Sequence, residues 1–208
     1  MVKPFLALIA LWLCLAPAAA QQRVSEAQMR QQINAAASKM TTMQCDFVQT
    51  KRVRMLNDKM VSRGRMYCQQ PGKLRWEYTS PYAYTFVLNG AKALVDAGGR
   101  RDVVSVSQSK LFREIARVMM GTLAGKSLSD SKNFTTTLAA TSTEYVATLV
   151  PKQKAMRQMF ARIVLHFNRR TAAVEKVEMH DPKGDTTIIE LKNVKTNTAI
   201  NAKVFDID

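Results

Sequence analysis

Residues 71–90 read PGKLRWEYTSPYAYTFVLNG, and this stretch decides the fold. Pro71-Gly72 makes a turn, after which Leu74, Trp76 and Tyr78 alternate with Lys73, Arg75 and Glu77. That period of two marks a strand over Leu74–Tyr78 with one apolar and one charged face. A second strand over Tyr82–Leu88 runs into Asn89-Gly90, a strong hairpin signal because both residues tolerate positive φ. Downstream, Ala91–Asp96 answers it, and Gly98-Gly99 turns again before Val103–Val106. Upstream, Cys45–Met55 and Met60–Gln69 flank a turn at Asn57-Asp58. Six short strands with turns every ~8–12 residues predict an antiparallel sheet that curls into a barrel or sandwich.

Helical spacing brackets this set. From Ser25 to Met40, apolar residues fall at Met29, Ile33, Ala36, Ala37 and Met40, one stripe of an amphipathic helix. Ser25 and Gln28 form a capping-box pair, and Val24 with Met29 fits a hydrophobic staple. A second amphipathic helix is predicted over Ser109–Met120, with Leu111, Ile115, Val118 and Met119 on its apolar side and Gly121 at its end. Strands then resume at Phe134–Leu138, Glu144–Pro151, Ala161–Asn168, Ala173–Asp181 and Thr186–Val194. An antiparallel sheet with two helices must cover its apolar face. The economical solution lays both helices on the concave side of one large curved sheet.

The N-terminus carries an address. Lys3 is followed by an apolar run from Phe5 to Leu15, then by the small residues of Ala16-Pro17-Ala18-Ala19-Ala20. This order is that of a cleavable secretory signal peptide over residues 1–20, and the run is too short for a membrane span. Cys14 raises a lipid anchor as the alternative, but the bulky Leu13 stands where a small residue is needed. Residues 21–208 are expected to form one domain of ordinary size. That portion carries 30 Lys and Arg against 16 Asp and Glu, a net +14, which suits an acidic partner or an anionic membrane and equally a solvated basic surface. Export and the lack of any recognition-helix or aromatic RNA-binding motif argue against nucleic acid. Outside the cytosol, disulfides persist. Folding about Asn57-Asp58 pairs positions that sum to roughly 113–116 and sets Cys45 opposite Cys68 or one pair away, so a disulfide is expected. A shifted register would instead leave two buried thiols.

Enzyme chemistry finds little support. His166 and His180 are the two histidines, neither with zinc-ligand spacing, and no nucleophile elbow or phosphate-cradling loop occurs. His166, opposite in phase to Ile163, Leu165 and Phe167, is expected to face solvent. No cofactor or metal is expected. Twelve methionines, among them Met29, Met40, Met43, Met119 and Met120, put adaptable apolar material on or near the helices, as ordinary core or as a binding surface.

In order along the chain, Phe47-Val48-Gln49-Thr50-Lys51, Ser62-x-Gly64, Pro71 to Tyr78, Pro81, Asn89-Gly90, Pro151-Lys152, Asp181-x-x-Gly184-Asp185-x-Thr187, Asn193, Asn197 and Phe205 resemble the LolA family of periplasmic lipoprotein carriers. The resemblance implies an α+β, mainly β fold: an incomplete antiparallel β-barrel of about 11 strands whose amphipathic helices close an apolar cavity. It further implies a periplasmic, monomeric, non-enzymatic carrier of the lipid moieties of lipoproteins. Cargo would come from an inner-membrane ABC-type releasing complex and pass to an outer-membrane acceptor or the membrane surface. A sensor of the same fold, or an accessory protein binding another lipid or glycolipid, is the alternative. Leu74 and Trp76 match cavity-facing positions of the family, Tyr78 continues that face, and Phe47 occupies the same kind of position one hairpin earlier. Alternation adds Phe86, Leu88, Leu165 and Phe167, and the lid helix adds Leu111, Ile115 and Met119, with plain core packing the alternative for each. One departure concerns transfer: well-known members carry an arginine before the proline of the third-strand turn, where it holds the closed lid, and this chain has Gln70.

Overall fold

A computed structural model describes residues 24–56, 58–106, 121 and 126–207. The signal-peptide and lid-helix readings, over 1–20 and Ser109–Met120, lie outside the described residues. The first helix, α1 (Glu26–Lys39), begins as its sequence dictates. Ser25 Oγ accepts from the Gln28 amide at 3.3 Å while the Ser25 amide donates to Gln28 Oε1 at 3.0 Å. Both bonds satisfy donors that a helix start otherwise leaves orphaned. The inward stripe buries Met29 and Ile33.

Eleven strands follow: β1 (Thr42–Val53), β2 (Asp58–Gln69), β3 (Lys73–Ser80), β4 (Tyr84–Asn89), β5 (Lys92–Ala97), β6 (Arg100–Ser105), β7 (Phe134–Ala140), β8 (Glu144–Pro151), β9 (Arg162–Asn168), β10 (Val174–His180) and β11 (Thr186–Thr196). They form one antiparallel sheet in the order β6-β5-β4-β3-β2-β1-β11-β10-β9-β8-β7. First and last strands pair at its centre, and among the described residues β6 and β7 are left as unpaired edges, so the sheet stays open there. One four-residue helix, α2 (Lys154–Arg157), sits between β8 and β9, too short for periodicity to announce it. On the concave side α1 is tied to the β7–β8 edge. The Leu138 amide donates to Glu26 Oε1 at 3.1 Å and the Tyr145 hydroxyl to Gln32 Oε1 at 2.6 Å. On the convex side the C-terminal segment covers Val87 and Leu94 with Phe205 and Ile207.

Two expectations are corrected. The β1–β2 ladder closes at Val53 and Asp58, with Arg54–Leu56 in a 3₁₀ turn, so the hairpin is centred before Asn57-Asp58. Cys45 therefore faces Met66, and Cys68 faces Met43. The cysteines are diagonal neighbours on one face, where residues lie roughly 7–8 Å apart and Cβ atoms somewhat less, still beyond the roughly 4 Å between Cβ atoms that a disulfide spans. Both are free, buried thiols. Burial, with smaller contributions from Asp46 and Cys68, pushes Cys45 up to about 12, and burial pushes Cys68 up to about 11. The second correction concerns His166. It is on the convex face as its phase requires, yet only 9% exposed, because its strand neighbours fold over it. Nδ1 lies 3.0 Å from Glu144 Oε2 and Nε2 lies 3.1 Å from Glu178 Oε1.

Candidate functional site

The concave face gathers the sequence-predicted side chains into one apolar surface. Phe47 on β1, Leu74 and Trp76 on β3, Phe86 and Leu88 on β4, and Leu165 and Phe167 on β9 are all buried in a single cluster, with Tyr78 packed against it. Residues from both halves of the sheet meet because β1 pairs with β11 at its centre. The aromatic part is ordered: the Phe47 ring lies 4.7 Å from Trp76, tilted by 37°, and 5.1 Å edge-on from Tyr78. Tyr78 in turn meets Tyr84 edge-on at 5.8 Å. Offset and edge-to-face contacts of this kind are the favourable ones.

Gly64 makes the arrangement possible. It stands directly opposite Phe47 on β2, where the register to β3 shifts. A Cβ there would sit 1.9 Å from the Glu77 carbonyl oxygen and 2.6 Å from Phe47 Cζ. The absent side chain is the space the ring occupies. Its signal in the sequence was a lone glycine inside a strand pattern, which marks a bulge or close approach.

Polar groups within the surface are few. The Tyr78 hydroxyl donates to Gln49 Oε1 at 2.9 Å. Burial raises its pKa against the opposing pull of Trp76 and Gln49. The Trp76 N–H is near enough to influence that hydroxyl, yet no acceptor meets it in hydrogen-bonding geometry among the described residues. Gln70 Nε2, at the β2–β3 turn, is likewise buried without a partner among the described residues. The Gln70 backbone N–H donates to Thr41 O at 2.8 Å, which places this residue beside the end of α1, at the opposite rim from Tyr78 and Tyr84. Leu111, Ile115 and Met119 fall outside the described residues. Among the described residues no cluster of three or more His, Cys, Asp or Glu could hold a metal.

Several members of the surface lie outside the predicted set of site residues. Met66, Ile163, Ile189 and Leu191 belong to the same cluster. Alternation along their strands would have found the last three. Beneath α1, a narrow pocket of about 90 Å³ continues the apolar surface between Ile33, Met40, Met43, Phe167 and Val174. Beside it, an open and more polar cleft of about 1010 Å³ is edged by Lys39, Arg169 and Arg170. Chemically the concave face can shelter apolar matter. It presents no nucleophile–base pair among these residues.

The family described as "Outer membrane lipoprotein carrier protein LolA" matches residues 38–208 of this chain. An outer-membrane lipoprotein carrier protein of Methylococcus capsulatus is 28% identical, over 79% of this chain and 76% of its own length. One from Methylobacillus flagellatus is 31% identical, over 68% and 66%. Among solved structures, the Mycobacterium tuberculosis lipoprotein LppX superposes with a TM-score of 0.51 at 13% identity, covering 88% of this chain and all of that one. The Pseudomonas aeruginosa MucA/MucB complex gives 0.50 at 12% identity, covering 86% of this chain and 59% of that one. At such identities the two structures speak for the fold.

Proposed function

The chain belongs to the LolA family, and from that premise we propose that it is a periplasmic carrier holding the acyl chains of lipoproteins against its concave face. It would take them from an inner-membrane ABC-type releasing complex to an outer-membrane acceptor or the membrane itself. The leader at 1–20 would be removed, and 21–208 would act as a single monomeric domain without catalysis or cofactor. The observation that carries the reading is the apolar surface around the Phe47, Trp76 and Tyr78 stack, whose buried cluster draws side chains from both halves of the sheet. Burying each acyl CH₂ gains about 0.8 kcal/mol, so a chain of some fifteen methylenes gains on the order of 12 kcal/mol by leaving water. No such chain crosses an aqueous space unshielded, and one carrier can supply the shield. Release demands that the cover move. The sequence-predicted lid helix bearing Leu111, Ile115 and Met119 is the natural part to do so, with Gln70 where the family's arginine would otherwise hold it shut.

Trp76 offers a direct test, because it is the one tryptophan beyond the leader; the other is Trp12. A lipopeptide with brominated acyl chains should quench Trp76 emission on binding. Leu74→Glu, at the floor of the surface, should abolish uptake. Native mass spectrometry of protein taken from its own periplasm should show acylated protein or lipid bound. Reproducibly empty protein that neither quenches nor extracts labelled lipoprotein from membranes would end the proposal.

A further inference from the structure

The sheet alternates its connections between two rims. The β1–β2, β3–β4, β5–β6 and β10–β11 turns lie at one, together with the α2-containing link from β8 to β9. Among the described residues, seven of the eight exposed large apolar side chains stand at this rim and none at the opposite one. Its most prominent part is the β1–β2 hairpin. β3 ends opposite Arg63, so residues 58–62 of β2 run on past their neighbour and the tip projects. Met55 is 90% exposed, Leu56 72% and Met60 53%, and Tyr82 in the next turn is 80% exposed. Leaving such side chains in water costs free energy unless something covers them.

Charge identifies the cover. Residues 51–60 hold four cations, Lys51, Arg52, Arg54 and Lys59, against one carboxylate, Asp58. None of the four has a carboxylate within ion-pairing distance among the described residues. The nearby aspartates are engaged by backbone amides. Asp58 Oδ1 accepts from Lys59 N at 2.6 Å, Asp185 Oδ1 from Arg54 N at 3.0 Å, and Asp181 Oδ1 from Lys183 N and Asp185 N. The cations are thus left facing outward around an apolar tip. A second copy of this chain would set cation against cation.

We propose that this rim docks on an anionic lipid bilayer, with Met55 and Leu56 entering the headgroup layer and Lys51, Arg52, Arg54 and Lys59 resting on lipid phosphates. Shallow apolar insertion flanked by cations is how peripheral proteins hold such surfaces, each part too weak alone to be permanent. Reversibility is what a shuttle requires, and in this purpose the inference rests on the carrier reading. Co-flotation with phosphatidylcholine vesicles, with and without a third of phosphatidylglycerol, tests it on the exported protein. Binding should require phosphatidylglycerol and fall tenfold or more in Met55→Ser/Leu56→Ser and in Lys51→Glu/Lys59→Glu. It should fall likewise in molar salt, where the screening length shrinks from about 10 Å to about 3 Å. Both variants should keep the quenching of Trp76 by acyl chains in solution. The inference is overturned if the wild type ignores anionic vesicles, if it binds neutral ones equally, or if the variants bind as well as the parent. It is also overturned if the tip instead mediates a dimer that the variants dissolve. Tip-dependent vesicle binding without acyl uptake would leave the docking surface standing and remove the carrier reading.

Discussion

Replacing Gly64 by alanine should damage the aromatic surface more than its single added methyl suggests. The new Cβ would meet two obstacles, and they differ in stiffness. Phe47 Cζ and Cε1, at 2.6 and 2.7 Å, belong to a ring that can turn away. The Glu77 carbonyl oxygen, at 1.9 Å, belongs to β3 and yields only if the β2–β3 ladder shifts by about an ångström, where it is already irregular. Overpacking costs typically 1–3 kcal/mol and sometimes more, and a backbone obstacle puts this site at the upper end. Driving the Phe47 ring off its rotamer adds about 0.5–1.5 kcal/mol, giving roughly 3.5–4.5 kcal/mol in all. For a domain of this size that is a fall in Tm of about 7–18 °C. Urea unfolding followed by Trp76 fluorescence measures the stability, and the native emission spectrum reports whether the ring 4.7 Å from the indole has moved. Phe47→Ala in the same background relieves the ring's share but forfeits a buried aromatic worth about 3–5 kcal/mol, so the double variant should be less stable than Gly64→Ala, yet by less than Phe47→Ala costs in the wild type. A cost below 1 kcal/mol with unchanged Trp76 emission would refute the claim that Gly64 holds this stack in place.

Two further outcomes follow from the corrected features. In protein lacking residues 1–20, unfolding without reductant should release two titratable thiols, Cys45 and Cys68, while the native protein at pH 8 reacts with thiol reagents slowly, since both pKa values stand near 11–12. Fewer than two thiols in denaturant would contradict the two-residue offset of the hairpin. Acid should also find a weak point on the convex face. Burial alone would raise Glu178, but the hydrogen bond and charge of Lys176, the charge of His166 and the hydrogen bond from His180 outweigh it and hold the carboxyl below its ordinary value of 4.5. A carboxylate lowered by folding contributes stability that is complete above 4.5 and disappears as pH falls through its native value, since the unfolded chain then binds the proton first. Glu178→Gln should flatten the acid limb of a stability–pH curve, and an unchanged limb would place the sensitivity elsewhere.

Strand existence was legible nearly throughout, because a half-buried antiparallel sheet writes its two faces as strict alternation. β8 was read to its ends, and β3 and β11 differ from the reading by a few residues at the termini. Register was not legible in the β1–β2 hairpin. Side-chain phase cannot distinguish pairings offset by two, since both keep the same face inward. The choice fell to the loop, where Asn57-Asp58 looked like the turn and Arg54–Leu56 supplied it. His166 shows a second gap. Phase gave its face correctly, but burial there depends on Glu144 and Glu178, which come from two other strands and lie 22 and 12 residues away.

A site of this kind has no motif, because its chemistry is that of a core. Leu74, Trp76, Phe86 and Leu165 carry the same alternation whether they serve stability or cargo. What this surface carries besides is a pair of polar atoms without a partner. A buried donor without an acceptor costs about 1–3 kcal/mol, and native proteins keep only a few per hundred residues. Here Gln70 Nε2 is in that state, and Trp76 Nε1, although close to the Tyr78 hydroxyl, meets no acceptor in hydrogen-bonding geometry among the described residues. A phenylalanine at 76 would fill much of the same space without the penalty. Keeping an indole there is reasonable if the face must at times receive something with an acceptor of its own, and an acyl chain arrives with an ester or amide carbonyl at its head.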